Sequence, residues 1–150
     1  MGGEGLWQPF VGHLTSTTHN EWVDGEEAQA KEKYPGLKMA TTRIEEKENQ
    51  QIAYEKTLEL IKRYPGLKTV MGSAMSTVPG AARAIEEKGL IDKMAAFGTC
   101  LPSVAGDYLK SGAAKSIHFW VPADAGYVTA YVAYLSLQGE TVKELSLIHI

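Results

Sequence analysis

The sequence predicts an α/β fold, a doubly wound parallel sheet, and three observations carry that prediction. Short apolar runs alternate with longer, more polar stretches of helical spacing along the chain. Turn residues bound each run, which reads as strand and helix in alternation. A motif also recurs: Lys33-Tyr34-Pro35-Gly36-Leu37-Lys38 returns as Arg63-Tyr64-Pro65-Gly66-Leu67-Lys68, 63 − 33 = 30 residues later. That interval is the length of one strand–helix unit and far too short for a duplicated domain. In both copies Pro-Gly stops a helix and turns the chain, and the leucine begins a strand.

The elements follow in order. Strand one is expected over residues 10–14 and a helix over 19–33. Strand two is expected over 37–42. A helix over 48–63 turns Ile52, Leu58 and Ile61 inward at helical spacing, with Tyr54 beside them. Strand three covers 69–72. Pro79 opens a helix reaching residue 88, where proline is tolerated in a first turn, and Gly89 ends it. Strand four covers 94–97, and a helix spans 103–110 before Gly112. Strand five covers 116–121, and a last helix runs 123–137 to Gly139. Parallel strands joined by helices make a sheet covered on both faces, with right-handed crossovers. A flavodoxin-like sheet is the expected form.

Bulk properties narrow the function classes. A chain of 150 residues is long enough for one domain with a real core. Its composition, 44% hydrophobic and 22% charged, is that of a globular protein. Net charge is 15 − 18 = −3 without a dense basic block, so nothing points to nucleic acid. No apolar run has the length of a membrane span. Met1-Gly2-Gly3-Glu4-Gly5 lacks the basic-then-apolar order of an export signal. Cys100 is the single cysteine, which excludes an internal disulfide and reads as a small buried hydrophobe.

In open α/β sheets ligands bind outside the carboxyl ends of the strands. Five segments occupy those positions: residues 15–20, 43–45, 73–79, 98–102 and 120–124. They are rich in hydroxyls, small residues and helix-starting groups, which suits a neutral, oxygen-rich ligand. Trp120 offers a flat apolar face for a sugar ring. Thr18, Asn20 and Asp124 have an alternative role as helix caps. Catalytic patterns are missing: there is no HExxH, GxSxG, CxxC or P-loop motif. His13 and His118 alternate within strands one and five. No catalytic residue, metal or cofactor is expected.

The ordered set of motifs resembles a family. Thr15-Ser16-Thr17-Thr18-His19-Asn20-Glu21-Trp22-Val23 resembles the opening of the second lobe in type I periplasmic sugar-binding proteins, closest to the rhamnose and autoinducer-2 binders of ABC importers. Val78-Pro79-Gly80-Ala81-Ala82-Arg83-Ala84-Ile85 is similar to that branch's Pro-small-Ala-Ala helix start. Ala96-Phe97-Gly98-Thr99 resembles its Gly-Phe-Ser-Thr turn. Residues 119–127 resemble its hinge and following helix. The likeness is collinear over about residues 8–143.

The resemblance implies a binding module rather than an enzyme, holding a small sugar-like ligand between two lobes and delivering it to a membrane permease. It implies a parent that is periplasmic, or an extracellular lipoprotein. Thr18 and His19 stand where autoinducer-2 binders carry an Asp-Gln pair, so another sugar is equally open. Pro79 and Ala81 match positions that act mainly through backbone groups. The candidate ligand contacts are Thr18, His19, Asn20, Ser76, Pro79, Ala81, Thr99 and Trp120. Residues 1–120 are expected to form the second lobe, and residues 121–143 the hinge and a helix of the absent first lobe. That helix carries Tyr127, Val128, Tyr131, Val132, Tyr134 and Leu135, so the isolated chain should fold it back or self-associate. Residues 144–150 resemble adapter read-through and are set aside. An alternative is the effector-sensing domain of a sugar-responsive repressor, which shares the fold. A receiver domain is excluded, because strands one and three end in hydroxyls rather than acids.

Overall fold

The computed structural model describes residues 2–140. The expected features at residues 141–143 and 144–150 lie outside the described residues. Six strands and five helices alternate: β1 (Glu4–Val11), α1 (Thr17–Lys33), β2 (Gly36–Met39), β3 (Ile44–Glu45), α2 (Gln50–Arg63), β4 (Leu67–Gly72), α3 (Thr77–Glu87), β5 (Ala95–Thr99), α4 (Pro102–Ser111), β6 (Ala114–His118) and α5 (Pro122–Leu137). Two compact units result, one ending at His118 and one beginning at Phe119.

The sheet runs β2-β1-β4-β5-β6, with β3 also paired to β1, and every pairing is parallel. β2 and β3 are two pieces of one edge strand. β2 pairs with Glu4 to Trp7, and β3 with Phe10 and Val11. Counted as one, they give the flavodoxin-like order 2-1-3-4-5. The expected fold class is therefore the observed one.

Strand one begins six residues before its expected start and stops at Val11, not at residue 14. Gly5 and Pro9 read as breakers but sit inside the strand. Gly5 takes φ +121°, and Pro9 lies where β1 has no partner on the edge side. Buried Gln8 fills that gap. Its Nε2 donates to Thr42 O at 2.9 Å, and its Oε1 accepts from Thr41 N at 3.1 Å. Proline cannot donate to a ladder, so a side-chain amide joins the strands there instead. Strand two, expected over 37–42, stops at Met39 for the same reason, and the edge resumes only at Ile44–Glu45, outside the expected range. Strand five was expected over 116–121 but ends at His118, which leaves Trp120 in the second unit. His13 lies beyond β1 rather than within it.

The repeated motif makes the same turn twice. Tyr34 N bonds Ala30 O and Leu37 N bonds Tyr34 O; Tyr64 N bonds Leu60 O and Leu67 N bonds Tyr64 O. Asn49 caps α2, its side chain accepting from Gln51 N and Ile52 N. Right-handed crossovers place α2, α3 and α4 on one face of the sheet, since all three carry the chain the same way across it. α1 carries it the opposite way, onto the other face. The larger core follows: Phe10, Leu60, Val70, Val78, Ile85, Ala96 and Ala114 pack between the sheet and α2–α4. The α1 face holds a smaller cluster of Trp7, Val11, Val23 and Met71.

Candidate ligand-binding site

The carboxyl ends of β1, β3, β4, β5 and β6 bring Gly12–Ser16, Glu46, Ser73–Ser76, Cys100 and His118 to one end of the sheet. His13, His19 and His118, the three described histidines, all lie there.

The first helix starts at Thr17 after Ser16, so Thr18 is not its cap; it sits exposed in the first turn. His19 is half-buried and fixed. Its Nδ1 accepts from Gly12 N at 3.2 Å, and its carbonyl accepts from Ser73 Oγ at 3.4 Å. A neutral imidazole that accepts at Nδ1 carries its proton on Nε2 and is a donor there. Gly12 makes this possible: a Cβ there would lie 2.9 Å from His19 Cε1 and 2.8 Å from Glu48 Cγ. Asn20 is committed within the protein. Its Nδ2 donates to Leu14 O at 3.0 Å and Ser16 O at 2.8 Å, and its Oδ1 accepts from Arg43 Nη1 at 2.9 Å. Arg43 is itself held by Asp24 and by Glu27, the latter at 2.9 Å, so its charge is neutralised locally.

Glu46 is fully buried at the end of β3. It accepts from Ser76 Oγ at 2.8 Å, Thr77 Oγ1 at 3.5 Å and Asn49 N at 2.7 Å. Burial pushes its carboxyl above the usual range, against the lowering effect of those donors. Lys47 and Glu48, directly after it, both take left-handed backbone, φ 55° and 51°. Ser76, a candidate contact, thus spends its hydroxyl on Glu46. Pro79 and Ala81 are buried in the first turns of α3, so only their backbone can reach a ligand. α3 lies so close to α2 that a Cβ on Gly80 would meet Gln50 O at 2.5 Å.

Thr99 is buried, its Oγ1 3.0 Å from His118 Nε2. Cys100 is buried too and directs Sγ at Met75 O, 3.5 Å away. Burial pushes its thiol up, which opposes thiolate chemistry. Trp120 is 54% exposed in the second unit. Of the eight candidates, Thr18, His19, Asn20, Ser76 and Thr99 gather at the strand ends of the first unit. Glu46 and Gly12 escaped the sequence reading. A glycine directly after a strand was the available signal for Gly12; nothing in the sequence distinguishes Glu46 from its acidic neighbours.

The end of the sheet is furnished with hydroxyls, imidazoles and backbone groups. Among the described residues, no cluster of metal-binding side chains occurs. Cavities of about 590 and 220 Å³ lie elsewhere, beside α1, where packing on the sheet is loose.

Known proteins share this architecture. The family described as "Periplasmic binding protein domain" matches residues 1–141. An ABC transporter solute-binding protein from Clostridium phytofermentas, solved with bound L-rhamnose, superposes with TM-score 0.79 at 25% identity, covering 92% of this chain and 44% of that one. A carbohydrate transporter solute-binding protein from Agrobacterium radiobacter, in complex with D-arabinose, gives 0.81 at 25% identity, covering 93% and 47%. LsrB from Clostridium saccharobutylicum, in complex with AI-2, gives 0.78 at 22% identity, covering 92% and 43%. The chain spans somewhat less than half the length of these structures. With the family matched over nearly its whole length, this chain belongs to the periplasmic binding protein domain family.

Proposed function

We propose that the parent of this chain is the substrate-binding component of an ABC sugar importer, and that this chain supplies one wall of its interlobe cleft. The observation that carries the reading is the sheet's carboxyl end, which gathers imidazoles, hydroxyls and backbone groups and whose Arg43 is already ion-paired, in a chain of this family. The relatives above were solved with a sugar or with AI-2, which supports a small polyhydroxylated ligand. Nothing favours the repressor reading.

Thr18, the Nε2–H of His19, and the backbone around Pro79 and Ala81 are assigned to ligand contact. Asn20, Ser76 and Thr99 hold the wall in shape, each already bonded to a neighbour. Arg43 is paired and Glu46 is buried, so a sugar acid or sugar phosphate finds no free guanidinium among these residues. A neutral sugar is the better match. Trp120 and the helix after it are assigned to the hinge and the first lobe. The parent works outside the cytoplasmic membrane, as a periplasmic protein or extracellular lipoprotein, and hands its ligand to a permease.

The test is to recover the upstream reading frame, express the two-lobed parent, and measure melting with L-rhamnose, D-arabinose and AI-2. A cognate ligand at about 100 Kd adds roughly 2.7 kcal/mol, a shift of several degrees. The 150-residue chain alone, with half the contacts, should not shift. If no sugar moves the parent's melting temperature, the assignment is overturned.

A further inference from the structure

Each of α1, α2, α3 and α4 follows a strand, so all four begin at the carboxyl end of the sheet. A helix start carries partial positive charge and free backbone N–H groups, which makes it a ready place for an anion. Acidic residues in the first turn offset that charge where they occur. None of these four helices has one. In α3 the Ser76 cap makes no side-chain bond to its own helix either. Left so, this end of the sheet would favour a carboxylate or a phosphate.

Glu46 changes that balance from inside. Its side chain is fully buried and turned to the start of α3, where Oε1 accepts from Ser76 Oγ at 2.8 Å and from Thr77 Oγ1 at 3.5 Å. Oε2 accepts from Asn49 N, at the start of α2, at 2.7 Å. All three donors are neutral, so they hold the carboxylate without cancelling its charge. The backbone is bent to allow it. Lys47 N bonds Gly12 O at 2.8 Å, and Lys47 and Glu48 are both left-handed, φ 55° and 51°. Two such residues in succession, neither a glycine, persist only where the surroundings hold them. Glu45 and exposed Glu48 flank Glu46, while Arg43 is already ion-paired with Asp24 and Glu27.

We propose that Glu46 is a specificity-determining residue of the sugar site: its buried charge occupies the positive ends of α2 and α3 from behind, so the wall takes neutral sugars and turns away sugar acids. The helix starts then offer N–H groups to hydroxyls without a net pull on a carboxylate. A buried charge is little screened by salt, so its field reaches across the first turns of α3, where Pro79 and Ala81 lie. The inference rests on the sugar-cleft reading, because it takes those turns as part of the wall.

Paired titrations of the two-lobed parent test it, at about pH 8 to favour an ionised carboxyl. The pairs are D-glucose and D-glucuronate, D-galactose and D-galacturonate, L-rhamnose and L-rhamnonate, and D-arabinose and D-arabinonate. The wild-type parent should bind the neutral member of its pair at least about tenfold more tightly than the acid. Glu46→Gln preserves the shape: its oxygen accepts from Asn49 N, and its amide donates to Ser76 and Thr77, whose hydroxyls turn to accept. It should leave the neutral affinity nearly unchanged and narrow the gap by about tenfold. Glu59→Gln, which removes the same charge from the exposed face of α2, should leave the gap as it was. If Glu46→Gln weakens both members alike and the gap stays, Glu46 is a structural brace and the proposal is overturned. A wild-type parent that binds an acid as tightly as its neutral partner overturns it without any variant. Neither result touches the sugar assignment, which falls only when no neutral sugar moves the melting temperature.

Discussion

Two carboxylates, Glu46 buried and Glu26 half-buried, show how position decides the state of one residue type. Glu46 is surrounded by donors and knits β3 to the start of α3. Glu26 lacks a donor on Oε2, and burial raises its pKa from 4.5 to about 7. A carboxyl raised on folding is protonated in both states below pH 4.5. As pH rises toward 7 the unfolded chain ionises first, so stability falls across that window. Glu26→Gln removes the effect. It should stabilise the 150-residue chain at pH 8 by about 1–2 kcal/mol, after allowance for solvent that still reaches the group, or roughly 2–8 °C. Thermal melts at pH 4.5 and 8 check it: the gain should vanish at the lower pH. A variant less stable than wild type at pH 8 would refute the assignment.

Among the elements, α2 has the clearest start, with Asn49 accepting from Gln51 N at 2.8 Å and Ile52 N at 3.2 Å. Asn49→Ala should cost about 1 kcal/mol, read as a lower urea midpoint at unchanged slope. A change in slope instead would mean that the cap does more than start the helix. Helix stops were legible because Tyr-Pro-Gly-Leu acts locally. The amino-terminal part of β1 was not legible, because Gly5 and Pro9 are tolerated only through Gln8 and a split neighbour, which are tertiary facts. β3, two residues long, is too short to leave a pattern. At the site, the strand-end rule picked out segments that the fold does bring to one end of the sheet, those of Thr18 and His19 among them. That Ser76 and Asn20 are occupied, or that Glu46 is buried, depends on partners distant in the chain.

At the scale of the molecule, α5 is the unusual element. No charged residue falls between Asp124 and Glu140, and the helix buries none of its side chains. Tyr127, Tyr131 and Tyr134 stack along it, with centroids 6.2 and 6.5 Å apart. A helix apolar all round is normally enclosed by other elements. By itself the 150-residue chain should therefore associate as concentration rises into the tens of micromolar, seen by sedimentation velocity. Replacing Tyr127 and Tyr131 by lysine should return it to a monomer. A wild-type monomer at every concentration would refute the expectation.

The split edge strand also governs what form that association takes. A long, flat border of unpaired amides is a template on which foreign strands polymerise. Here one border is divided into pieces of four and two residues by the Gln8 junction. The other is the five-residue β6, where exposed Lys115 guards the margin. Neither border offers a run long enough to seed cross-β growth. Clusters of this chain should therefore be held together by helices and remain reversible on dilution, with none of the permanence of amyloid.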